Sequence, residues 1–164
     1  MIYGRIDLKN TNYELGCVNW KILERPNIDA LNKIYYKYCK YKKFKSVVPV
    51  FDGEYKDPNI DVIGYYHNKK LVAFSLMRHI YKDKKNIEAY QFAWDYENPE
   101  LKLGLKSLEN ECALYKSKGY RYIYLGEANH YKTKFDGFEI LGPVNELFSA
   151  FNIFFNTLCS VLYF

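Results

Sequence analysis

The stretch YRYIYLGEANHYKTKFDGFEILGP, residues 120–143, ends an apolar, aromatic run in side chains that can move protons and hold anions. Glu127 is a proton acceptor, directly or through water. His130, an imidazole, is the other natural acceptor. Tyr124 or Tyr131 can give a proton to a leaving oxygen or sulfur. Lys132 and Lys134 suit phosphate oxygens. Gly126 stands where the run breaks, and a glycine there lets the chain turn away or a ligand come close. Any one of these residues would pass as part of a solvated loop. Together, after a buried strand, they form a candidate site for proton transfer beside an anionic ligand.

Such residues need elements to position them. The chain has 164 residues, with 19% aromatic and 26% charged, enough for one domain over 1–164 that builds its core without disulfides or metal. A net charge of +5 favours an anionic ligand such as a nucleotide, coenzyme A or RNA. Lys outnumbers Arg, however, and the surplus reads as composition rather than as a nucleic-acid signature. KYCKYKKFK (37–45) is the densest basic run and interleaves aromatics. It can stack on RNA or close a helix whose negative end suits lysine. Cys17, Cys39, Cys112 and Cys159 are far apart with no CxxC, which argues for reduced thiols and against a metal site. No charged-then-apolar leader opens the sequence, so a cytoplasmic protein is expected. At the end, LFSAFNIFFNTLCSVLYF carries no charge, yet Ser149, Asn152, Asn156 and Ser160 share one face and Phe148, Phe151, Phe155, Leu158 and Leu162 another. This predicts an amphipathic helix over about 145–163 that docks on the domain or on a second copy, without a membrane span.

The remaining patterning gives an order of elements. MIYGRIDLK (1–9) alternates and predicts a strand. Ile28, Leu31, Ile34, Tyr35 and Tyr38 recur at helical spacing after Pro26 and Asn27. Residues 48–59 are rich in turn formers. Three strand-like runs, 60–67, 70–81 and 86–95, are joined by HNKK and YKDKKN and predict an antiparallel meander. Leu105, Leu108, Cys112 and Tyr115 make one helical face, which Gly119 ends. YRYIYLG is a further strand, and a helix that joins two strands makes a parallel crossover. The fold class is therefore α+β, with a mixed central sheet (an antiparallel meander plus a parallel strand) flanked by helices, and a C-terminal amphipathic helix.

Helix, three-strand meander, helix and parallel strand is the core order of the GNAT acyltransferase superfamily. Local residues resemble the C-terminal domain of arginyl-tRNA–protein transferase, an N-end-rule aminoacyltransferase, over about residues 28–143. GYYHNKKLVAFSL is similar to that family's short turn leading into a Leu-Ile/Val-Ala strand. FAWDYENPELKLGLKSLENE resembles its aromatic-aromatic-Asp stretch followed by Leu-Gly and a helix, here Asp95, Leu103 and Gly104. YRYIYLG resembles its Tyr-Tyr-Leu/Met-Gly strand, and YKTKFDGFEIL its Tyr-Lys-x-x-Phe ending.

The resemblance implies transfer of an aminoacyl group from an aminoacyl-tRNA ester to an amine of a protein or peptide, with no cofactor required. The wider superfamily implies transfer from acetyl-CoA to a small amine or peptide, and a non-catalytic GNAT-fold binding protein is a third reading. It further implies that the third meander strand and the following parallel strand separate near Trp94, leaving a wedge for the donor's amide or ester. Trp94, Asp95 and Tyr96 would line that wedge, with Asp95 facing an amine or a cationic amino-acid side chain. In coenzyme A-binding members a Gly-rich loop offers amides to pyrophosphate at a helix start. Only Gly104 matches that loop well here, while Lys102, Lys106 and Ser107 could still hold an anionic group. The implied catalytic set is Glu127, His130 and Tyr124, and the implied donor-binding set adds Gly126, Lys132 and Lys134. The partners are then charged tRNA or acyl-CoA and an amine acceptor, with a homodimer formed through the tail helix.

Overall fold

The computed structural model describes residues 2–44, 53–80 and 85–142. The tail helix expected over 145–163, with any dimer contact it makes, lies outside them. The elements run β1 (Tyr3–Asp7), β2 (Asn19–Ile22), α1 (Ile28–Lys42), β3 (Ile60–His67), β4 (Lys70–Ile80), β5 (Asn86–Trp94), α2 (Leu103–Ser117), β6 (Tyr122–Glu127) and β7 (Phe138–Leu141). The strands form one sheet in the order β2-β3-β4-β5-β6-β1-β7. Every neighbouring pair is antiparallel except β5–β6, which is parallel. This is the α+β mixed sheet that the patterning predicts.

The meander follows from local chemistry. Asn68 and Lys69, the centre of HNKK, both take positive φ (48° and 66°), and His67 pairs directly with Lys70. Two left-handed residues between paired strands make the turn whose twist suits a tight hairpin. α1 begins where the Asn27 side chain accepts a hydrogen bond from the Ala30 amide at 3.1 Å. Its last turn carries Lys40 and Lys42 at the negative end of the helix. Leu31, Ile34, Tyr35 and Cys39 bury one face of α1 against Phe74, Leu76 and Ala93. α2 covers the opposite face of the sheet, where Leu108, Cys112 and Tyr115 meet Ile63, Met77, Ile87 and Ile123. Each fully buried aliphatic side chain there contributes about 1.5–3 kcal/mol. Packing rather than capping therefore fixes α2, whose N-cap Lys102 makes no side-chain cap bond.

Three sequence expectations change. Leu105 does not belong to the buried face of α2; it is 40% exposed, and Leu103 and Glu111 are buried instead. β2 was not expected, because NWKI is short and mostly exposed and so shows no alternation. β7 was not expected either, because its four residues follow directly on the polar run. It forms beside β1 because Gly137 at φ +70 brings the chain within reach of Asp7. A Cβ at Gly137 would lie 2.4 Å from the Asp7 carbonyl oxygen.

Candidate active site

The parallel pairing of β5 and β6 covers only Asn86 with Tyr122, Ile87 with Ile123 and Glu88 with Tyr124. Beyond that, β5 continues to Trp94 and β6 to Glu127 without pairing to each other. Each strand carries a bulge just past the separation. On β5, Ala89 faces Met77 and Gln91 faces Leu76, so Tyr90 is an additional residue. On β6, Tyr124 faces Arg5 and Glu127 faces Tyr3, so β6 is one residue longer than β1 over this span, and Gly126 turns at φ +66. A bulge bends its strand and increases its twist. Two bulges at one level, each strand still held on its outer side, turn the two halves of the sheet apart.

The gap contains a cavity of about 440 Å³. Ala89, Tyr90, Gln91 and Phe92 of β5 form one side, and Leu125 with Asn129, Tyr131 and Lys132 the other. α2 closes it with Gly104, Ser107, Leu108 and Glu111, while Tyr38 and Lys42 of α1, and Phe44 just after it, approach from the opposite sheet face. The opening thus connects the two faces of the sheet. At the start of α2, Leu105 and Lys106 amides both donate to the Lys102 carbonyl, at 2.9 and 3.0 Å. The Leu103 and Gly104 amides are left as the donors of the first turn, where the helix dipole favours a negative group. A Cβ at Gly104 would meet only Phe92, at 3.9 Å, so the backbone is open to close approach.

Two charged side chains are buried in the wall. Lys132 is 5% exposed, and its ammonium donates to the carbonyl oxygens of Leu125 and Glu127, both at 2.7 Å. It ties the loop after β6 to the end of that strand. Glu111 is 3% exposed and accepts from the Tyr65 hydroxyl at 2.6 Å and from the Ser75 hydroxyl. Burial pushes its carboxyl up to about 7, against the downward pull of the two hydroxyls. Burial also pushes Glu88 up to about 7, with Arg78 opposing, but Glu88 is not part of the cavity wall.

The structure brings Gly104, Ser107, Tyr131 and Lys132 of the sequence-derived set together at the cavity. Glu127 is half-buried at the end of β6, and His130 and Lys134 are exposed on the loop that follows. Gly126 faces open space. Tyr124 alternates with Ile123 and Leu125, so it projects from the other side of the strand. Lys102 caps α2, and Lys106 pairs with Glu109 at 2.9 Å. The strands separate after Glu88 rather than near Trp94, a correction that the Tyr90 bulge explains. Trp94 is accordingly core, and Tyr96 stacks on Tyr41 at 3.6 Å. Asp95 is buried, holding the Glu97 amide at 3.2 Å and lying 3.8 Å from the Lys70 ammonium. Sequence reading passed over Glu111, Ser75 and Tyr65. The signal was present: Glu111 lies between Leu108 and Cys112 on the apolar face of α2, where a carboxylate is out of place unless it is used.

A seven-stranded mixed sheet whose single parallel pair splays over a cavity, with helices on both faces, matches solved structures. The C-terminal domain (DUF2156) assigned to a lysylphosphatidylglycerol synthetase from Agrobacterium fabrum superposes with a TM-score of 0.60 at 13% identity, over 77% of this chain and 46% of that one. The match therefore spans about half the length of that solved domain. An aminoglycoside acetyltransferase from a soil metagenome, solved with sisomicin, gives 0.54 at 14% identity over 70% of this chain and 80% of the other. An acetyltransferase assigned to the GNAT family from Novosphingobium aromaticivorans gives 0.54 at 13% identity over 88% and 65%. The chain has the GNAT fold. No protein-family profile and no curated protein sequence matches it. The GNAT likeness is thus one of architecture, and the resemblance to arginyl-tRNA–protein transferase receives no support from these comparisons. Among the described residues, no helix is long and apolar enough to cross a membrane.

Proposed function

We propose that this chain transfers an acyl group from an activated ester or thioester to an amine, in the gap between β5 and β6. The observation that carries this is the cavity at the splayed parallel pair, bordered by the open first turn of α2. Aminolysis needs a neutral amine, a polarised carbonyl and an in-line approach. Positioning alone is worth roughly 7–11 kcal/mol when the groups are well oriented, and a general base adds about 10²–10⁴-fold. The anionic end of the donor lies at the Leu103 and Gly104 amides, and the amine enters from the side of Tyr38 and Phe44. Glu127 or His130 is the proton acceptor in this reading, and Tyr131, which lines the cavity, supplies the leaving group's proton.

The preferred donor is an aminoacyl-tRNA, with a protein or peptide amine as acceptor and no cofactor. Leu101 and Leu105 flank Gly104, where coenzyme A-type loops are polar and small, and this favours the tRNA ester. The fold also occurs in the domain assigned to a lysylphosphatidylglycerol synthetase, whose name denotes aminoacyl transfer. The second reading, an acyl-CoA N-acetyltransferase, draws on the acetyltransferases that share the fold. Incubation with radiolabelled aminoacyl-tRNAs and a peptide with a free N-terminus, in parallel with labelled acetyl-CoA and a panel of amines, tests both. Label reaching an amine from the tRNA ester supports the first, and label from acetyl-CoA alone supports the second. No transfer from either donor rejects the proposal.

A further inference from the structure

The cavity wall contains an acid that the transfer reading does not use. Glu111 lines the cavity while being 3% exposed. Both of its hydrogen bonds, from Tyr65 on β3 and Ser75 on β4, converge on Oε1. Oε2 has no partner among the described residues, and no Lys, Arg or His among them pairs with this carboxylate. The other titratable groups near it are uncharged, Cys112 and Tyr115 on its own helix. Lys42 and Lys132 line other parts of the wall, and the Lys132 ammonium is held by carbonyl oxygens.

A carboxylate out of water with no counter-ion is unfavourable, and only two things relieve it: a proton or a cation. Burial holds this carboxyl near 7, so neither solution is complete in the free protein at neutral pH. Geometry narrows which cation fits. A guanidinium prefers to bridge both carboxylate oxygens. Oε1 is already taken by two hydroxyls, which leaves a single oxygen and suits the compact charge of a primary ammonium.

We propose that the cavity recognises its ligand through a primary ammonium group that donates to Glu111 Oε2. The source of that ammonium rests on the transfer reading: it is either the α-ammonium of an aminoacyl donor or the acceptor's ammonium as it first binds, which gives its proton to the base of that reading, Glu127 or His130, before it attacks. The Tyr65 and Ser75 hydroxyls aim the carboxylate, so their role is positioning.

Calorimetric titration of the full chain at pH near 7 tests this with four probes. Phenylalanine methyl ester mimics an aminoacyl end, and methyl hydrocinnamate is its counterpart without the ammonium. Phenethylamine mimics an acceptor, and phenethyl alcohol is its neutral counterpart. At least one ammonium probe is expected to bind about tenfold or more tightly than its neutral counterpart. For phenethylamine, which is wholly an ammonium at this pH, binding releases about half a proton, read from buffers of different ionisation enthalpy, as a half-protonated carboxyl ionises. The ester's own amine is partly neutral near pH 7 and takes up a proton on binding, so for the ester the test is discrimination alone. In Glu111→Gln both the discrimination and the proton release disappear. Should that variant fail to fold, a shift of the Glu111 side-chain carboxyl NMR signal on adding the ammonium probe, absent with the neutral one, takes its place. Discrimination for the ester assigns the ammonium to the donor, and discrimination for the amine assigns it to the acceptor. No discrimination with either pair, or discrimination that survives in Glu111→Gln, overturns the proposal. A chain that transfers label without discriminating overturns only this inference; one that discriminates but transfers nothing overturns only the transfer reading.

Discussion

At residue scale, Glu111 and Glu88 govern how stability depends on pH. Both carboxyls stand near 7 in the folded chain and near the ordinary 4.5 when unfolded. Between those values the folded chain holds protons that the unfolded chain has released. The sign therefore runs opposite to that of a paired carboxylate. Stability from these neutral acids is complete below about pH 4.5 and is lost as pH rises through about 7. A shift of this size corresponds to roughly 3 kcal/mol for each group. Glu111→Gln removes one of the two, so its melting temperature should exceed that of the parent at about pH 8 and match it at about pH 5, as thermal melts in the two buffers would show. Gly104 tests the cavity separately. With only Phe92 in range at 3.9 Å, Gly104→Ala should leave the melt within about 1 kcal/mol of the parent. Gly104→Phe should fold but fill the cavity, and label transfer should fall at least about tenfold.

At the scale of elements, the bulges at Tyr90 and Gly126 make the gap, and the loop after β6 keeps it open. Deleting Tyr90 leaves Gln91 and Phe92 on the faces they now occupy and makes β5 continuous with β4. The expected result is a folded chain with longer β5–β6 pairing, read as slowed amide exchange across residues 124–127, and loss of transfer. Exchange that stays fast would show that the bulge is not what separates the strands. Lys132→Met removes two charge-assisted hydrogen bonds to β6 and should cost about 2 kcal/mol or more in chemical denaturation. Much of this architecture could be read from patterning. The meander, both helices and the parallel crossover followed from period, turn residues and Gly119. The point of separation could not, because one additional residue in β5 leaves no mark on composition and shows only in the register against β4. β7 was hidden for a related reason, since FEIL becomes a strand only through its pairing with β1. Glu111 was legible as an acid on an apolar helix face, but its partners Tyr65 and Ser75 stand far away in sequence, and only the fold brings them together.

For the whole molecule, the sheet behaves as two halves joined by three registered residue pairs, β2-β3-β4-β5 on one side and β6-β1-β7 on the other. α2 bridges them, so the gap is held at a fixed width by a helix whose first turn borders the cavity. This arrangement allows a donor and an amine to approach from opposite faces and meet where neither half of the sheet obstructs. The net charge of +5 adds a field that favours an anionic donor. If that donor is a tRNA ester, transfer at subsaturating donor should fall steeply as salt rises, because several phosphate contacts are lost together. A coenzyme A donor, with far fewer phosphates, should show a much shallower dependence in the same assay. The most direct test of the central claim is a crystal structure with a donor bound, either coenzyme A or a short RNA carrying a non-hydrolysable aminoacyl end. The account predicts the donor's reactive end between Ala89–Phe92 and Leu125, with its phosphate end at the amides of Leu103 and Gly104. A donor bound elsewhere with the gap empty, or no binding of either, would contradict it.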